Sequence, residues 1–223
     1  MADESMVAME MKARVVIVDD DPLIRSLLGT ILEQWEIEVV GHGEDGDQVP
    51  RLVAELAPDV IVMDLRMPRT DGIEATRQLQ NTPNAPGVLA LTSFDTEAAV
   101  IDAVQAGVKG FLAKDAAPEE IANAVLLVAS GEGALSPRAA SVLLRHARKT
   151  RSEGPLIPPG LPQLSAREEE ASLAVTDGLS NAQIAEQMHV SEATVKTHLA
   201  SAMAKVGVDN RVQLAVAVAL ARR

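Results

Sequence analysis

The sequence predicts an α/β chain: five parallel strands in a doubly wound sheet, followed by a small all-α domain of four helices. Three observations lead there. Short apolar runs rich in β-branched residues alternate five times with amphipathic stretches between residues 14 and 130. That order yields a parallel sheet covered by helices on both faces. Next, four prolines and two glycines fall within residues 153–162, the composition of a semi-extended linker. Beyond it no strand pattern recurs, and helix-start signals follow at Ser165, Ser180 and Ser191.

Composition sets the outer bounds. The chain has 223 residues, a length that suits two small domains, and nearly half of them are apolar. It has no cysteine, which excludes disulfides and thiolate metal sites and fits a reducing, cytoplasmic setting. The acidic start Met1-Ala2-Asp3-Glu4 has no signal-peptide core, and no apolar run approaches a membrane span. The formal charge of −12 is unevenly spread: residues 1–135 carry −15, residues 136–164 carry +4 and residues 165–223 carry −1. The acid therefore belongs to the first half, and the second half stays open to nucleic acid.

Residues 1–12 read as a tail, with Met11 a second candidate start. Arg14–Val18 is the first strand. A helix follows over about 22–35, its Ile24, Leu27, Leu28, Ile31 and Leu32 on one face. Residues 37–41 form a second strand, and a helix near 48–57 carries Val49, Leu52, Val53 and Leu56. Val60–Met63, apolar and bounded by Pro58 and Asp64, reads as a strand buried on both faces. Asp71-Gly72 turns the chain into a helix over 72–80. Residues 88–91 make strand four, 97–106 a helix, 110–113 strand five and 118–130 the last helix of the alternation, with Pro118 in its first turn. Ser136-Pro137 opens a further helix to about Lys149, basic at its end.

Function is expected where these strands stop, since open α/β sheets bind beyond their carboxyl ends. The first strand ends in Asp19-Asp20-Asp21, the third in Asp64, the fourth in Thr92 and the fifth in Lys114. Taken singly, each has an ordinary explanation as a helix cap, a strand-end Thr or a surface lysine. Together, carboxylates on neighbouring strands repel one another unless a hard cation joins them, and Mg²⁺ suits oxygen-only ligands. Acids, a hydroxyl and an ammonium at one edge can hold a metal, accept a phosphoryl group and neutralise it.

With these five elements in this order, residues 14–132 resemble the receiver domain of bacterial two-component response regulators, a flavodoxin-like fold. The resemblance implies that Asp64 is the phosphoacceptor. It implies that Asp19 and Asp20, with Asp64 and the backbone carbonyl of Arg66, hold Mg²⁺. It makes Thr92 the switch hydroxyl, Phe111 the switch aromatic and Lys114 the cation that meets the phosphoryl group. Asp115 follows Lys114 where many receivers carry proline.

The C-terminal domain begins with the capping box Ser165-Ala166-Arg167-Glu168 and a helix to about Thr176. Ser180 caps a short helix to His189, and Val190-Ser191 turns into a third helix to Val206, stopped by Gly207. A fourth runs over about 210–222. At 100° per residue the third helix places Val195, Leu199, Met203 and Val206 on one face. Ala193, Lys196, Thr197, Ala200, Ser201 and Ala204 fall opposite, a face able to lie in a major groove. Thr194 and Asn181, near helix N-termini, are expected at DNA phosphates. The run Gly178-Leu179-Ser180-Asn181-Ala182-Gln183-Ile184-Ala185, followed by Val190-Ser191-Glu192-Ala193-Thr194-Val195-Lys196-Thr197-His198, resembles the LuxR-type helix-turn-helix domain. By that resemblance Lys196 and Thr197 face bases, with Ala200 at a position where some relatives carry a longer polar residue.

The whole chain thus resembles NarL/FixJ-family response regulators. The expected division is a tail (1–12), a receiver (13–132), a linker helix and proline-rich linker (133–163) and a DNA-binding domain (164–223). The resemblance implies a cytoplasmic transcription factor phosphorylated by a sensor histidine kinase and binding double-stranded promoter DNA as a phosphorylation-dependent homodimer. It also implies a protein that accepts and slowly loses its own phosphoryl group rather than a turnover enzyme. Two rival readings remain at this stage: a regulator indifferent to phosphorylation, and a Mg²⁺-dependent phosphotransfer enzyme.

Overall fold

The computed structural model describes residues 12–80, 82–93, 96–149, 164–177 and 179–221. Residues 1–11 of the expected N-terminal tail and the proline-rich stretch 153–162 lie outside them. The first half is built from β1 (Arg14–Val18), α1 (Pro22–Gln34), β2 (Glu38–Gly43), a 3-10 turn (Gly46–Gln48), α2 (Val49–Leu56), β3 (Val60–Met63), α3 (Gly72–Leu79), β4 (Gly87–Thr92), α4 (Glu97–Gln105), β5 (Gly110–Ala113) and α5 (Pro118–Ala129). β6 (Ala134–Leu135) and α6 (Pro137–Lys149) follow, and then α7 (Ala166–Thr176), α8 (Asn181–Met188), α9 (Glu192–Val206) and α10 (Arg211–Ala221).

The sheet is parallel throughout, in the order β2-β1-β3-β4-β5-β6. It has six strands where the sequence predicted five. β6 pairs its two residues with Gly110 and Phe111 of β5, and two residues are too few to show a period. The amide of Ser136 extends the pairing by donating to the Phe111 carbonyl at 3.1 Å.

Strand residues alternate between two cores, as the pleat requires. Val15, Ile17, Val60, Val62, Leu89 and Leu91 face α1 and α5. Val16, Val18, Ile61, Met63, Val88 and Ala90 face α2, α3 and α4. Since both faces are covered, the central strands β1, β3 and β4 are almost wholly buried, which explains their unbroken apolar character. Among the described residues, no helix is long and apolar enough to cross a membrane.

The C-terminal helices pack on α6 and on the first half. Val142 and Leu143 of α6 join the core facing α2–α4 to Val212, Val216 and their neighbours on α10. The side chain of Gln213 donates to the Val104 carbonyl at the end of α4, 3.0 Å away. Arg145 of α6 pairs with Glu97 of α4 at 2.7 Å.

Inside the helical domain, one carboxylate does several jobs. Glu168 closes the N-terminal capping box of α7 by accepting from the Ser165 amide at 2.7 Å. It also accepts from Lys205 Nζ at 2.7 and 2.9 Å and from Ser201 Oγ at 2.6 Å, binding α7 to α9. Ser201 is thereby drawn off the outer face of α9 where the helical wheel put it. Hydrogen bonds from Lys205, Ser201 and the Ser165 amide hold the Glu168 carboxyl down at about 2. A depressed carboxylate stabilises the fold above its unfolded value and loses that contribution as pH falls through the folded one. Thermal melts of wild type and Glu168→Gln should therefore differ at neutral pH, with the wild type higher. The gap should close as pH is lowered from about 4.5 toward about 2. A gap independent of pH over that window would contradict this assignment.

Candidate functional site

Register brings the strand-end residues together. Val18 of β1 lies opposite Met63 of β3, so Asp19 and Asp64, each one residue further, emerge side by side. The Asp64 amide donates to the Val18 carbonyl at 2.9 Å. Thr92 pairs with Ala113 across β4 and β5, and Lys114 comes next. The strand order reverses between β1 and β3, the switch point at which α/β sheets open a crevice.

Ligand oxygens of Asp19, Asp20 and Asp64 all lie within 4.8 Å of one another. Asp19 and Asp64 are buried while Asp20 is exposed. Asp21 instead caps α1, accepting from the Leu23 amide at 2.8 Å. Lys114 Nζ sits 2.7 Å from an oxygen of Asp19 and 2.7 Å from one of Asp64. Burial raises the Asp19 carboxyl above its ordinary value, against the pull of Lys114. Burial would lower the Lys114 ammonium, but hydrogen bonds to Asp19 and Asp64 outweigh it and raise it. Three carboxylates facing one ammonium leave uncompensated negative charge, and an all-oxygen donor set fits a small hard cation.

The cleft beside this cluster is lined by Asp20, Leu65, Arg66, Thr92, Asp102 and Phe111, among others. The predicted residues on strands β1, β3, β4 and β5 therefore share one edge. Thr92 is buried at 4 % exposure and Phe111 is fully buried. The aromatic is already inside, and an inward swing of the ring from solvent is not available from this arrangement. Phenylalanine carries no polar tip to keep it at the surface.

The loop after Asp64 is fixed at both ends. Gly72 donates to the Leu65 carbonyl at 3.0 Å, and a Cβ at Gly72 would collide with the Asp64 carbonyl oxygen. Asp45, buried in the turn after β2, accepts from the amides of Thr70 at 2.7 Å and Arg69 at 2.9 Å. Sequence reasoning missed Asp45. Its signal was an Asp-Gly pair after β2, at the same sheet edge.

In the helical domain, Ala193, Lys196, Thr197 and Ala200 are all exposed on α9, as the wheel predicted, and Thr194 is partly exposed beside the capping hydroxyl of Ser191, 2.8 Å away. Asn181 is elsewhere. It is 3 % exposed, facing the first half of the chain rather than solvent. Its amide donates to Glu132 Oε2 at 2.9 Å and its side-chain oxygen accepts from Arg211 at 2.7 Å. Arg211 also approaches Glu132 at 3.4 Å and donates to the Leu179 carbonyl. Burial lowers the Arg211 guanidinium and the Glu132 charge opposes it. Glu132 and Arg211 were not singled out from the sequence, because a pair 79 residues apart leaves no local pattern. An acid between two glycines, Gly131-Glu132-Gly133, was the available sign.

Two families match this architecture: "Response regulator receiver domain" over residues 15–126 and "Bacterial regulatory proteins, luxR family" over residues 162–218. The transcriptional regulatory protein LiaR of Bacillus subtilis is 36 % identical over 206 residues, covering 91 % of this chain and 95 % of that one. The response regulator protein VraR of Staphylococcus aureus is 36 % identical over 207 residues, covering 92 % and 96 %. The crystal structure of the response regulator ChrA from a heme-sensing two-component system is 39 % identical, with a TM-score of 0.53 over 95 % of this chain and 98 % of that one. A structure of the Salmonella typhimurium response regulator RcsB is 25 % identical, with a TM-score of 0.56 over 92 % and 97 %. With a receiver sheet, a helix-turn-helix domain and relatives matched along nearly the whole length, the chain belongs to the NarL/LuxR family of response regulators, the DNA-binding transcriptional regulators of two-component systems.

Proposed function

We propose that this chain accepts a phosphoryl group on Asp64 from a sensor histidine kinase and, so modified, binds promoter DNA through α9 as a homodimer in the cytoplasm. In this reading residues 13–132 form the receiver, 133–163 the linker and 164–223 the DNA-binding domain. The observation that carries it is the convergence of Asp19, Asp20 and Asp64 within 4.8 Å, with Lys114 bridging two of them.

The chemistry follows from the edge. A carboxylate oxygen of Asp64 forms the new bond to phosphorus as the donor's bond to phosphorus breaks, and that bond's electron pair leaves with the donor. Lys114, now shared by Asp19 and Asp64, neutralises a phosphoryl oxygen. Thr92, at the same cleft, offers its hydroxyl to another. Asp19, Asp20, Asp64 and the Arg66 carbonyl would hold Mg²⁺, which supplies the positive charge that lets an anionic phosphoryl group approach a carboxylate.

On the DNA side, Lys196 and Thr197 stand on the exposed face of α9 with Ala200 one turn beyond, and Thr194, at the start of the same helix, would meet a phosphate. Asn181 acts from within the interface to Glu132, so a phosphate contact through it requires the two halves to part. α10 is likewise covered, by α6 and the end of α4. A second copy can use that face of α10 only after the receiver releases it. This favours release of α10, rather than uncovering of α9, as the event that phosphorylation drives. α6 also lies on α4, which leaves less of the α4 surface for pairing receivers.

Three experiments test these statements. A small phosphodonor with Mg²⁺ should label wild type and leave Asp64→Ala unlabelled. Asp19→Ala and Asp20→Ala should label slowly and need more metal, and metal-independent labelling would reduce the acidic cluster to a structural feature.

Lys196→Ala should weaken operator binding. If Lys196 meets only phosphate, all sequences weaken alike and the salt slope falls by about one unit. If it reads a base, discrimination at one position drops by about 1–3 kcal/mol. Unchanged binding to every DNA would remove α9's exposed face from recognition.

Glu132→Ala should loosen the closed arrangement, because it leaves Arg211 without its carboxylate. Operator affinity of the unphosphorylated chain should rise about tenfold, equivalent to about 1.4 kcal/mol. The phosphorylated wild type should match it. An unphosphorylated variant as weak as wild type, yet extended in solution scattering, would separate opening from DNA binding and defeat this account.

A further inference from the structure

The loop between Asp64 and α3 carries Arg66, and what holds it comes from across the sheet edge. Asp45 follows β2, on the far side of β1 from Asp64. Its carboxylate is 2 % exposed and is used on both oxygens: Oδ1 accepts from the Thr70 amide at 2.7 Å and Oδ2 from the Arg69 amide at 2.9 Å. Next to it, the Gly46 amide donates to the Thr70 carbonyl at 3.2 Å. A Cβ at Gly46 would lie 2.5 Å from that carbonyl, so the two loops touch backbone to backbone. The Arg69 side chain adds charge, 3.6 Å from Asp45 and 3.1 Å from Asp47. Burial would raise Asp45, but the amides of Thr70 and Arg69 outweigh it and hold the carboxyl below the usual range. The clamp is thus a charged, fully used acceptor at neutral pH.

Arg66 lies between two fixed points. One is the closure from Gly72 to Leu65, at 3.0 Å; the other is the Asp45 clamp three residues on. Arg66, Met67, Pro68 and Asp71 all line the cleft that Asp20 and Thr92 share. A metal ligand is only as well placed as the partners that orient it, and a backbone carbonyl can be oriented only through its own chain.

We propose that Asp45 is a positioning residue for phosphoryl acceptance: by gripping the amides of Arg69 and Thr70 it sets the Arg66 carbonyl against Asp19, Asp20 and Asp64, and so sets the affinity for a divalent cation. This rests on the reading of that cluster as a Mg²⁺-dependent acceptor site. Asp45 touches neither the cation nor the phosphoryl group, so its effect falls on metal affinity and leaves the chemical step at saturating metal alone.

The test uses the full chain with Asp45→Asn, Asp45→Ala and a control, Asp59→Ala. Asp59 also bonds a distant amide, that of Arg14 at 2.9 Å, but at the opposite edge of the sheet. Mg²⁺ binding is measured by calorimetry at a temperature where circular dichroism shows every variant folded. Labelling by a small phosphodonor is then followed across Mg²⁺ concentration. Asp45→Ala should raise the Mg²⁺ dissociation constant about tenfold, the usual size of an outer-shell loss. Asp45→Asn, which keeps one acceptor for two amides and folds more readily, should fall between. The half-saturating Mg²⁺ for labelling should rise in step, with the maximal rate within about twofold of wild type. Asp59→Ala should lower the melting temperature and leave Mg²⁺ affinity unchanged. If both Asp45 variants lower the melting temperature but bind Mg²⁺ as wild type does, Asp45 is a structural clamp and the proposal fails. A drop in maximal rate at saturating Mg²⁺ overturns it too, since it places Asp45 in the chemical step. If wild type takes no Mg²⁺, or Asp64→Ala labels equally, the underlying reading fails and this one with it.

Discussion

Three carboxylates gathered at one sheet edge against a single ammonium form the constraint on which the rest of the first half depends. Like charges within 4.8 Å are costly in a partly buried setting. They persist because the fold fixes their backbone: parallel register sets Asp19 beside Asp64, and a second pairing sets Lys114 beside Thr92. Lys114 offsets part of the repulsion by touching two carboxylates at once. The remaining negative charge is what makes the edge receptive to a cation, so electrostatic strain in the resting protein and reactivity toward an anionic group have the same origin.

The elements around that edge divide the labour. The two cores under and over the sheet hold the strands, and neither contributes a polar group to the cleft. Strand-end Thr92 and the loops supply most of the polar chemistry, and the loops are themselves pinned: Asp21 caps α1, Gly72 closes the Asp64 loop and Asp45 grips it from the turn after β2. The helical domain repeats the pattern on a smaller scale. There Glu168 joins α7 to α9, while Ala193, Lys196, Thr197 and Ala200 stay exposed on the outer face of α9.

Much of this was legible in the sequence. Unbroken apolar runs marked β1, β3, β4 and β5, because burial on both faces leaves no polar interruption. Asp19, Asp20, Asp64, Thr92 and Lys114 were legible as a group because each ends a strand and parallel strands end together. The exposed face of α9 followed from helical geometry alone. What escaped was set by tertiary pairing. β6 is too short for a period, and the Glu132–Arg211 contact joins residues 79 positions apart. Asp45 went unnoticed, since nothing local shows that its acceptors serve amides 24 and 25 residues away. Asn181 was placed correctly at a helix start, yet a helix start does not reveal whether it faces solvent or a neighbouring domain.

The two-residue strand β6 has a consequence for Phe111. Without it, β5 would be the rim of the sheet, with a row of unpaired amides and carbonyls open to any passing extended chain. Ala134, Leu135 and the Ser136 amide take up that row from Gly110 to Phe111. The backbone that carries the aromatic is therefore bonded on both sides, to β4 and to β6. Any adjustment of Phe111 has to occur as torsion of its side chain within a stationary ladder, and strand-to-strand aggregation is denied a template at the place where the receiver adjoins the rest of the molecule.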